Sequence, residues 1–268
     1  MTKIAHEGMI PAERRNHILA LLQEKEFISI YDLTAAMGVS HMTIRRDLQK
    51  MEGEGLIKQV SGGAQISRRL LTEPSHSQKE TICAEEKDAI GRYAAGMIPE
   101  NCCIYLDAGT TSLALCAHIY ERADLTIVSN DFEVINYLIS HNCPSELIHT
   151  GGQVQKQNRS AIGHLAAQTI ASLSIDLGFI SASSWEPRGI TTPDPGKVPV
   201  KQAVARASRQ RILISDSSKY SQTATYLAVP LTDLNTIITD DKLPEHGQRL
   251  LANMDLKLHL VKPGISKA

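Results

Sequence analysis

The chain has 268 residues, 42% of them hydrophobic, yet no stretch approaches the ~18 consecutive apolar residues of a membrane-spanning helix. Its apolar residues come in short runs, which implies a core in water and no membrane partner. Met1 to Met9 lack the apolar segment of a signal peptide and include His6 and Glu7, so a loose tail on a cytoplasmic protein is expected. Cysteine pairing is missing too. The five cysteines, Cys83, Cys102, Cys103, Cys116 and Cys143, are odd in number, and neither Cys-x-x-Cys nor His-x-x-x-His spacing occurs. That pattern speaks for a reducing compartment and against a metal site. No cofactor is expected. There is no internal repeat and no low-complexity tract.

A large net charge is also absent: the formal value is −1, which does not advertise a nucleic-acid binder. The balance is uneven, however. Through Thr72 there are ten Lys/Arg against eight Asp/Glu, and eighteen against twenty-one in the remainder. Between Ser40 and Arg69 the count is six against three. A local basic patch on a small module, beside a larger acidic domain, fits these numbers.

The patch centres on Ser40-His41-Met42-Thr43-Ile44-Arg45-Arg46-Asp47-Leu48-Gln49-Lys50-Met51. At about 100° per residue, Ile44, Leu48 and Met51 share one helical face. Met42, Arg46, Gln49 and Lys50 lie on the other, with Thr43 and Arg45 on its flanks. Ser40 suits the N-cap. Ile30, Leu33 and Met37 mark a shorter helix before it, capped by Ser29. Gly38-Val39-Ser40 joins the two into a helix-turn-helix pattern. The outward residues match what a major groove offers. Arg can pair with guanine, Gln with adenine, and Thr or Met can meet a thymine methyl. His41 and the short polar groups at the helix start reach toward phosphates. Leu56 to Val60, followed by Ser61-Gly62-Gly63-Ala64, reads as a hairpin. Directly after a reading helix it forms a wing whose Lys58 can lie along the phosphate backbone. Upstream, Pro11 opens a helix with Ile18, Leu21 and Leu22 inward. Arg14 and Arg15 are read as its solvated face, with contact to DNA as the alternative.

Thr43-Ile44-Arg45-Arg46-Asp47-Leu48, then Gly55-Leu56-Ile57 and Gly62-Gly63-Ala64, resembles the DeoR family of bacterial transcriptional regulators. One departure is Gln59, where the family often has Arg. The DNA-binding domain is placed at residues 1–66 and a polar linker with Pro74 at 67–84.

From 85 to 268 short apolar strands alternate with helices, which implies a mostly parallel sheet covered on both faces. The expected strands are Cys102–Leu106, Leu125–Asn130, Glu146–Thr150, Leu177–Ser181, Ile212–Ser215, Thr236–Thr239 and Leu256–Val261. Ligands of such sheets bind outside the carboxyl ends of the strands. There the chain places Asp107-Ala108-Gly109-Thr110-Thr111, Ser129-Asn130-Asp131 and Asp216-Ser217-Ser218-Lys219, together with a long loop, Gly189 to Asp194, that carries Thr192 and Asp194. A glycine turn opening a helix can admit an anion to backbone N–H groups and hydroxyls, and Lys219 supplies a cation.

The same clusters, with Glu86-Lys87 and Gly151-Gly152, resemble the DeoR sensor domain, which is similar to ribose-phosphate isomerases. The resemblance implies a phosphorylated sugar or related metabolite as effector. It also implies that Asp107, Gly109, Thr110, Thr111 and Lys219 line the pocket. Asn130, Thr192, Asp194 and Lys201 complete the expected effector set. Ser181-Ala182-Ser183-Ser184-Trp185 stands where the family commonly has a glycine-rich stretch, and Pro195 to Val200 holds no carboxylate where the family commonly carries one shortly before the lysine matching Lys201. Lys197 there favours a more acidic effector, a sugar acid or its phosphate.

The reading is a repressor of a carbohydrate or sugar-acid operon, binding operator DNA as a dimer or tetramer. It pairs an N-terminal winged helix with a C-terminal α/β domain. The alternative is an isomerase with a DNA-binding appendage. That would need a carboxylate base from Asp107, Asp194 or Asp216, each equally explained as a cap or ligand contact. No catalytic residue is therefore assigned.

Overall fold

In the structure, a computed structural model, residues 9–25, 27–53, 56–66 and 68–264 are described. The tail expected at Met1–Met9, apart from Met9, lies outside them, as do Glu54, Gly55 and Ser67. The chain divides into two compact units, Met1–Arg69 and Leu70–Ala268.

The first unit runs α1 (Pro11–Lys25), β1 (Phe27–Ser29), α2 (Ile30–Met37), α3 (His41–Gly53), β2 (Ile57–Val60) and β3 (Gly63–Ile66). Ser29 caps α2, its hydroxyl taking the Asp32 N–H at 3.0 Å. Gly38 ends α2 with φ 65°, the left-handed conformation that costs glycine little. Ile18, Leu22, Leu33, Met37, Ile44, Leu48 and Met51 meet in one apolar core, each at most 1% exposed. Each such side chain contributes about 1.5–3 kcal/mol by leaving water.

The expected hairpin is present, and a third strand joins it: β1 pairs antiparallel with β3, giving the order β1-β3-β2. Three residues carry too little pattern to be read as a strand. What admits β1 is Gly63, where an added Cβ would sit 2.3 Å from the Ile28 carbonyl oxygen.

The second unit begins with Leu70, the last residue of β4 (Arg68–Leu70), then α4 (His76–Thr81) and α5 (Ala84–Ala95). Residues 70–84, expected as linker, are thus built into the larger unit. Ser75 and Gln78 form a reciprocal cap on α4, and Glu73 and His76 are buried. Then follow β5 (Cys103–Leu106), α6 (Thr110–Cys116), β6 (Thr126–Ser129), α7 (Phe132–Ser140), β7 (Glu146–His149), β8 (Gln153–Gln155), β9 (Ser160–Ile162), α8 (Gly163–Ala171) and β10 (Ile175–Ser181). The chain continues through β11 (Ser184–Glu186), β12 (Gly189–Thr192), α9 (Lys197–Ala207), β13 (Ser208–Ile214), β14 (Gln222–Ala224), β15 (Tyr226–Pro230), β16 (Thr236–Asp240), α10 (Glu245–Leu251) and β17 (Lys257–Val261).

Seven strands form one parallel sheet in the order β17-β16-β13-β10-β5-β6-β7. Alternate side chains serve opposite faces. Ile104 and Leu106 pack with Ile90, Leu115 and Phe179 on one side, and Tyr105 packs with Ile180, Val204 and Leu213 on the other.

Two departures from expectation stand out. The long loop from Gly189 is partly strand: β12 lies between β11 and β15 in a small antiparallel sheet. Helix α9 was not anticipated, because Pro195 and Pro199 bracket its start. Pro199 sits in the first turn, where no intrahelical N–H bond is lost.

Candidate functional site

On α3, Ser40 accepts the Thr43 N–H at 3.2 Å and lies 2.9 Å from the Thr43 hydroxyl. His41, Met42, Arg45, Arg46, Gln49 and Lys50 are exposed and Thr43 half-buried, over fully buried Ile44, Leu48 and Met51. Met42 keeps 64% of its surface in solvent, an apolar group free to meet another surface.

The acidic residue of this helix is turned away from the cations. Asp47 is buried, with Arg14 Nε at 2.5 Å and Arg15 at 3.5 Å. Arg14, read from sequence as solvated, is therefore a buried tie between α1 and α3, because only a cation can offset the cost of burying Asp47. The other acidic side chain described on α3, Glu52, takes both the backbone N–H and the side-chain amide of Gln59, each at 2.8 Å. Gln59 thereby pins β2 to α3. The outward face is left with Arg45, Arg46 and Lys50, the charge pattern suited to a polyanion. Lys58, on β2, is half-buried.

In the second unit the connections leave β5 toward β6 and β7, and later run from β10 toward β13, β16 and β17. Neighbouring β5 and β10 therefore mark the point where strand order reverses, and a crevice opens beyond their carboxyl ends. Asp107 follows β5 directly. Its carboxylate accepts Ser181 N–H at 3.1 Å and Ala108 N–H at 3.0 Å, and pairs with the Lys201 ammonium. Lys201, on α9, also reaches the Ser181 carbonyl at 2.7 Å. Asn130 follows β6, accepts from Tyr105 OH at 2.8 Å and Ala108 N–H at 3.0 Å, and donates to Ala161 at 2.9 Å. Asp107, Ala108, Asn130, Lys197, Val200 and Lys201 line one small cavity.

The glycine turn is wired differently from expectation. Its Ala108 and Gly109 N–H groups, expected to be free for an anion, are taken by Asp107, Asn130 and Asp131, the last at 2.9 Å. Burial raises the Asp131 carboxyl above its ordinary value, although the Glu133, Gly109 and Val134 N–H donors and nearby His76 oppose it. The hydroxyls of Thr110, Thr111 and Ser112, by contrast, are buried with no hydrogen-bond partner, which points to a missing ligand or water.

Thr192 is fully buried and its Oγ1 takes the Asp194 N–H at 3.2 Å. Asp194 in turn accepts Gly196 N–H at 2.8 Å and the Gln155 amide at 2.9 Å. Both hold the turn from which α9 delivers Lys197 and Lys201. Lys219 pairs with Asp216 at 3.1 Å after β13. All three carboxylates considered as an isomerase base are thus engaged.

Two residues not read from sequence, Glu73 and Lys79, join this end of the sheet, together with Lys87 of the Glu86-Lys87 pair. Glu73 pairs with Lys197 and, at 2.7 Å, with Lys79. Lys197, expected to raise the positive charge of the site, therefore shares a counter-charge with Lys79 within the fold. Lys87 is buried, donating to the Ile82 carbonyl at 2.5 Å. Burial, with the Lys219 cation nearby, pulls its ammonium down to about 8. No sequence signal placed Glu73 or Lys79 here, since their segment resembles a polar linker.

Comparison with known proteins now bears on these two sites. A DeoR-like helix-turn-helix domain matches residues 14–69, and a DeoR C-terminal sensor domain matches residues 82–241. The chain belongs to the DeoR family. One DeoR relative, the uncharacterized HTH-type transcriptional regulator YgbI of Escherichia coli (strain K12), is 52% identical over 95% of this chain and 99% of its own length. The transcriptional repressor AccR of Agrobacterium fabrum is 31% identical over 85% of this chain and 89% of its own. The glycerol-3-phosphate regulon repressor of Escherichia coli is 28% identical over 94% of this chain and all of its own. Among solved structures, ribose 5-phosphate isomerase A from Neisseria gonorrhoeae superposes with a TM-score of 0.36 at 16% identity, over 51% of this chain and 53% of that one. That likeness is too distant to bear on function. No helix among the described residues is long and apolar enough to cross a membrane.

Proposed function

We propose that this DeoR-family chain is a transcriptional repressor of a carbohydrate or sugar-acid catabolic operon whose grip on DNA changes when a small anionic metabolite binds the larger unit. The observation that carries this reading is the juxtaposition of Asp107, Lys201 and unpartnered Thr110 and Thr111 at the switch point of the sheet, in a chain whose first unit displays Arg45, Arg46 and Lys50. Ser40, His41, Met42, Thr43, Gln49 and Lys58 complete the DNA-facing set. Gly109, Asn130 and Lys219 complete the effector set, with Thr192 and Asp194 acting through the turn they hold. The names of the relatives, two of them repressors and one of a glycerol-3-phosphate regulon, support both the sign of control and the class of effector. One reading helix spans too few base pairs for a unique site, so a dimer or tetramer on paired half-sites, working in the cytoplasm, belongs to the same reading.

The isomerase alternative loses support from the engagement of Asp107, Asp194 and Asp216. Turnover of an aldose phosphate by the purified protein would revive it.

Coupling needs an effector that prefers one of two states, and a coupling of about 1–3 kcal/mol would move operator affinity roughly 5- to 150-fold. The test is an operator titration repeated with metabolites found by thermal-shift screening. Thr110→Val should bind operator as the parent does but need far more effector. An unaltered effector response would place the pocket elsewhere.

A further inference from the structure

Glu73 is a carboxylate held where an anion would be held. Lys197 and Lys79 contact its two oxygens, and the Asn158 amide donates to it at 3.2 Å while accepting from Lys79 at 2.9 Å. All four side chains are at most 12% exposed. Lys197 stands one turn before Lys201 on α9 and lines the same small cavity as Asp107 and Asn130. Two ammonium groups and one carboxylate leave the cluster with a surplus positive charge.

The surroundings are short of partners as well. His76, three residues beyond Glu73, is 1% exposed, and neither ring nitrogen makes a hydrogen bond, the nearest carboxylate oxygen being that of Glu80 at 3.6 Å. Helix α4, which carries His76, packs against α6, whose first three hydroxyls are also unpartnered. Buried polar groups without partners are few in folded proteins, and each calls for an explanation.

We propose that Lys79, Lys197 and Asn158 form an oxyanion subsite that the Glu73 carboxylate occupies in this structure. A phosphate or carboxylate group of a small metabolite enters it by displacing Glu73. The proposal rests on the effector reading above and adds to it the subsite, its competitor and a consequence. Glu73 belongs to the short segment between Leu70, where the second unit begins, and α4. Its release frees that segment from the Lys79–Lys197 pair and leaves it tied through backbone groups to Gln157, which donates to the Glu73 carbonyl at 3.0 Å and accepts from His76 N–H at 3.1 Å. An anion in the subsite therefore changes the part of the chain that follows the DNA-reading unit in sequence.

The test uses the full chain with two probes, inorganic phosphate and acetate, read by calorimetry and by thermal shift. Glu73→Gln removes the competing charge and keeps the shape. It should bind at least one probe about 10-fold more tightly than the parent does, and the double variant Glu73→Gln/Lys197→Met should lose that gain. Whichever probe shows the larger gain identifies the group the effector carries. In the parent, saturating probe should speed amide hydrogen exchange at residues 71–81. If Glu73→Gln melts too low for calorimetry, restoration of its melting temperature by either probe, beyond the rise seen for the parent, counts as the gain.

No gain with either probe, or a gain that survives Lys197→Met, overturns the proposal. The effector reading fails separately. If Glu73→Gln gains affinity but no anion alters operator binding, the subsite stands and the coupling falls. If Thr110→Val blunts an effector response while Glu73→Gln gains nothing, the effector reading stands and the displacement falls.

Discussion

In the first unit Arg45, Arg46, Gln49 and Lys50 stand in solvent on a helix whose opposite face is fully buried. In the second, Asp107, Thr111, Lys201 and Asp216 are at most 3% exposed. Under the proposed function, the difference follows from the partners. A duplex presents its phosphates from outside and draws on cations that stayed hydrated, so the reading face needs no internal counter-charge. A small metabolite is enclosed, so the groups that hold it lie in a poorly hydrated crevice, where each charge needs an opposite one in its absence. Asp107–Lys201, Asp216–Lys219 and Glu73–Lys197 are such pairs. Among the described residues of the first unit the comparable feature, Asp47 with Arg14, lies behind the reading helix and not on its outward face.

The comparison breaks most sharply at Lys201. Lys201→Met strands Asp107 with only neutral donors and should cost about 3–5 kcal/mol of stability in chemical denaturation; a cost near zero would mean that the crevice is as wet as the reading face. Arg14→Met tests the buried pair of the first unit. Because Arg15 remains 3.5 Å from Asp47, the loss should be smaller, about 2–3 kcal/mol, and operator binding should weaken with it. On the exposed face the two readouts should separate. Arg45→Ala or Arg46→Ala should each cost about 1–3 kcal/mol in operator affinity while stability moves by no more than about 0.5 kcal/mol.

Acid should discriminate the two regions as well. Burial by itself would raise the Glu73 carboxyl, but the Lys197 and Lys79 cations outweigh it and hold the group well below its ordinary 4.5. The folded chain then binds fewer protons here than the unfolded chain does. The stability contributed is complete above the unfolded value and fades as pH falls below it. The gap in unfolding free energy between parent and Glu73→Gln should accordingly shrink between about pH 6 and pH 3.5. A gap that stays constant would show that the pairing is not ionic. The smallest effect is expected at Gln59→Ala, which removes the side-chain amide, one of the two donors that hold Glu52 beside the reading cations. It should cost about 1 kcal/mol of stability and weaken binding to all DNA sequences alike.

Local pattern sufficed for the helix-turn-helix and hairpin of the first unit and for most of the large sheet. Ile44, Leu48 and Met51 at helical spacing fix which face of α3 is buried, and therefore which face remains to read DNA. Caps such as Ser29 and Gly38 act within a few residues. The strands of the parallel sheet are short apolar runs between helices, legible because both faces are covered. Tertiary structure decided what depends on distant partners. Strand β1 exists because Gly63 lets Ile28 approach. Arg14 is buried because Asp47 lies opposite it, 33 residues away in sequence. Residues 70–84 read as a linker because they are polar, yet Glu73 and Lys79 are buried against Asn158 and Lys197, which are 79 to 124 residues distant. A charged residue looks solvated in sequence until its counter-charge is known, and only the fold brings the two together.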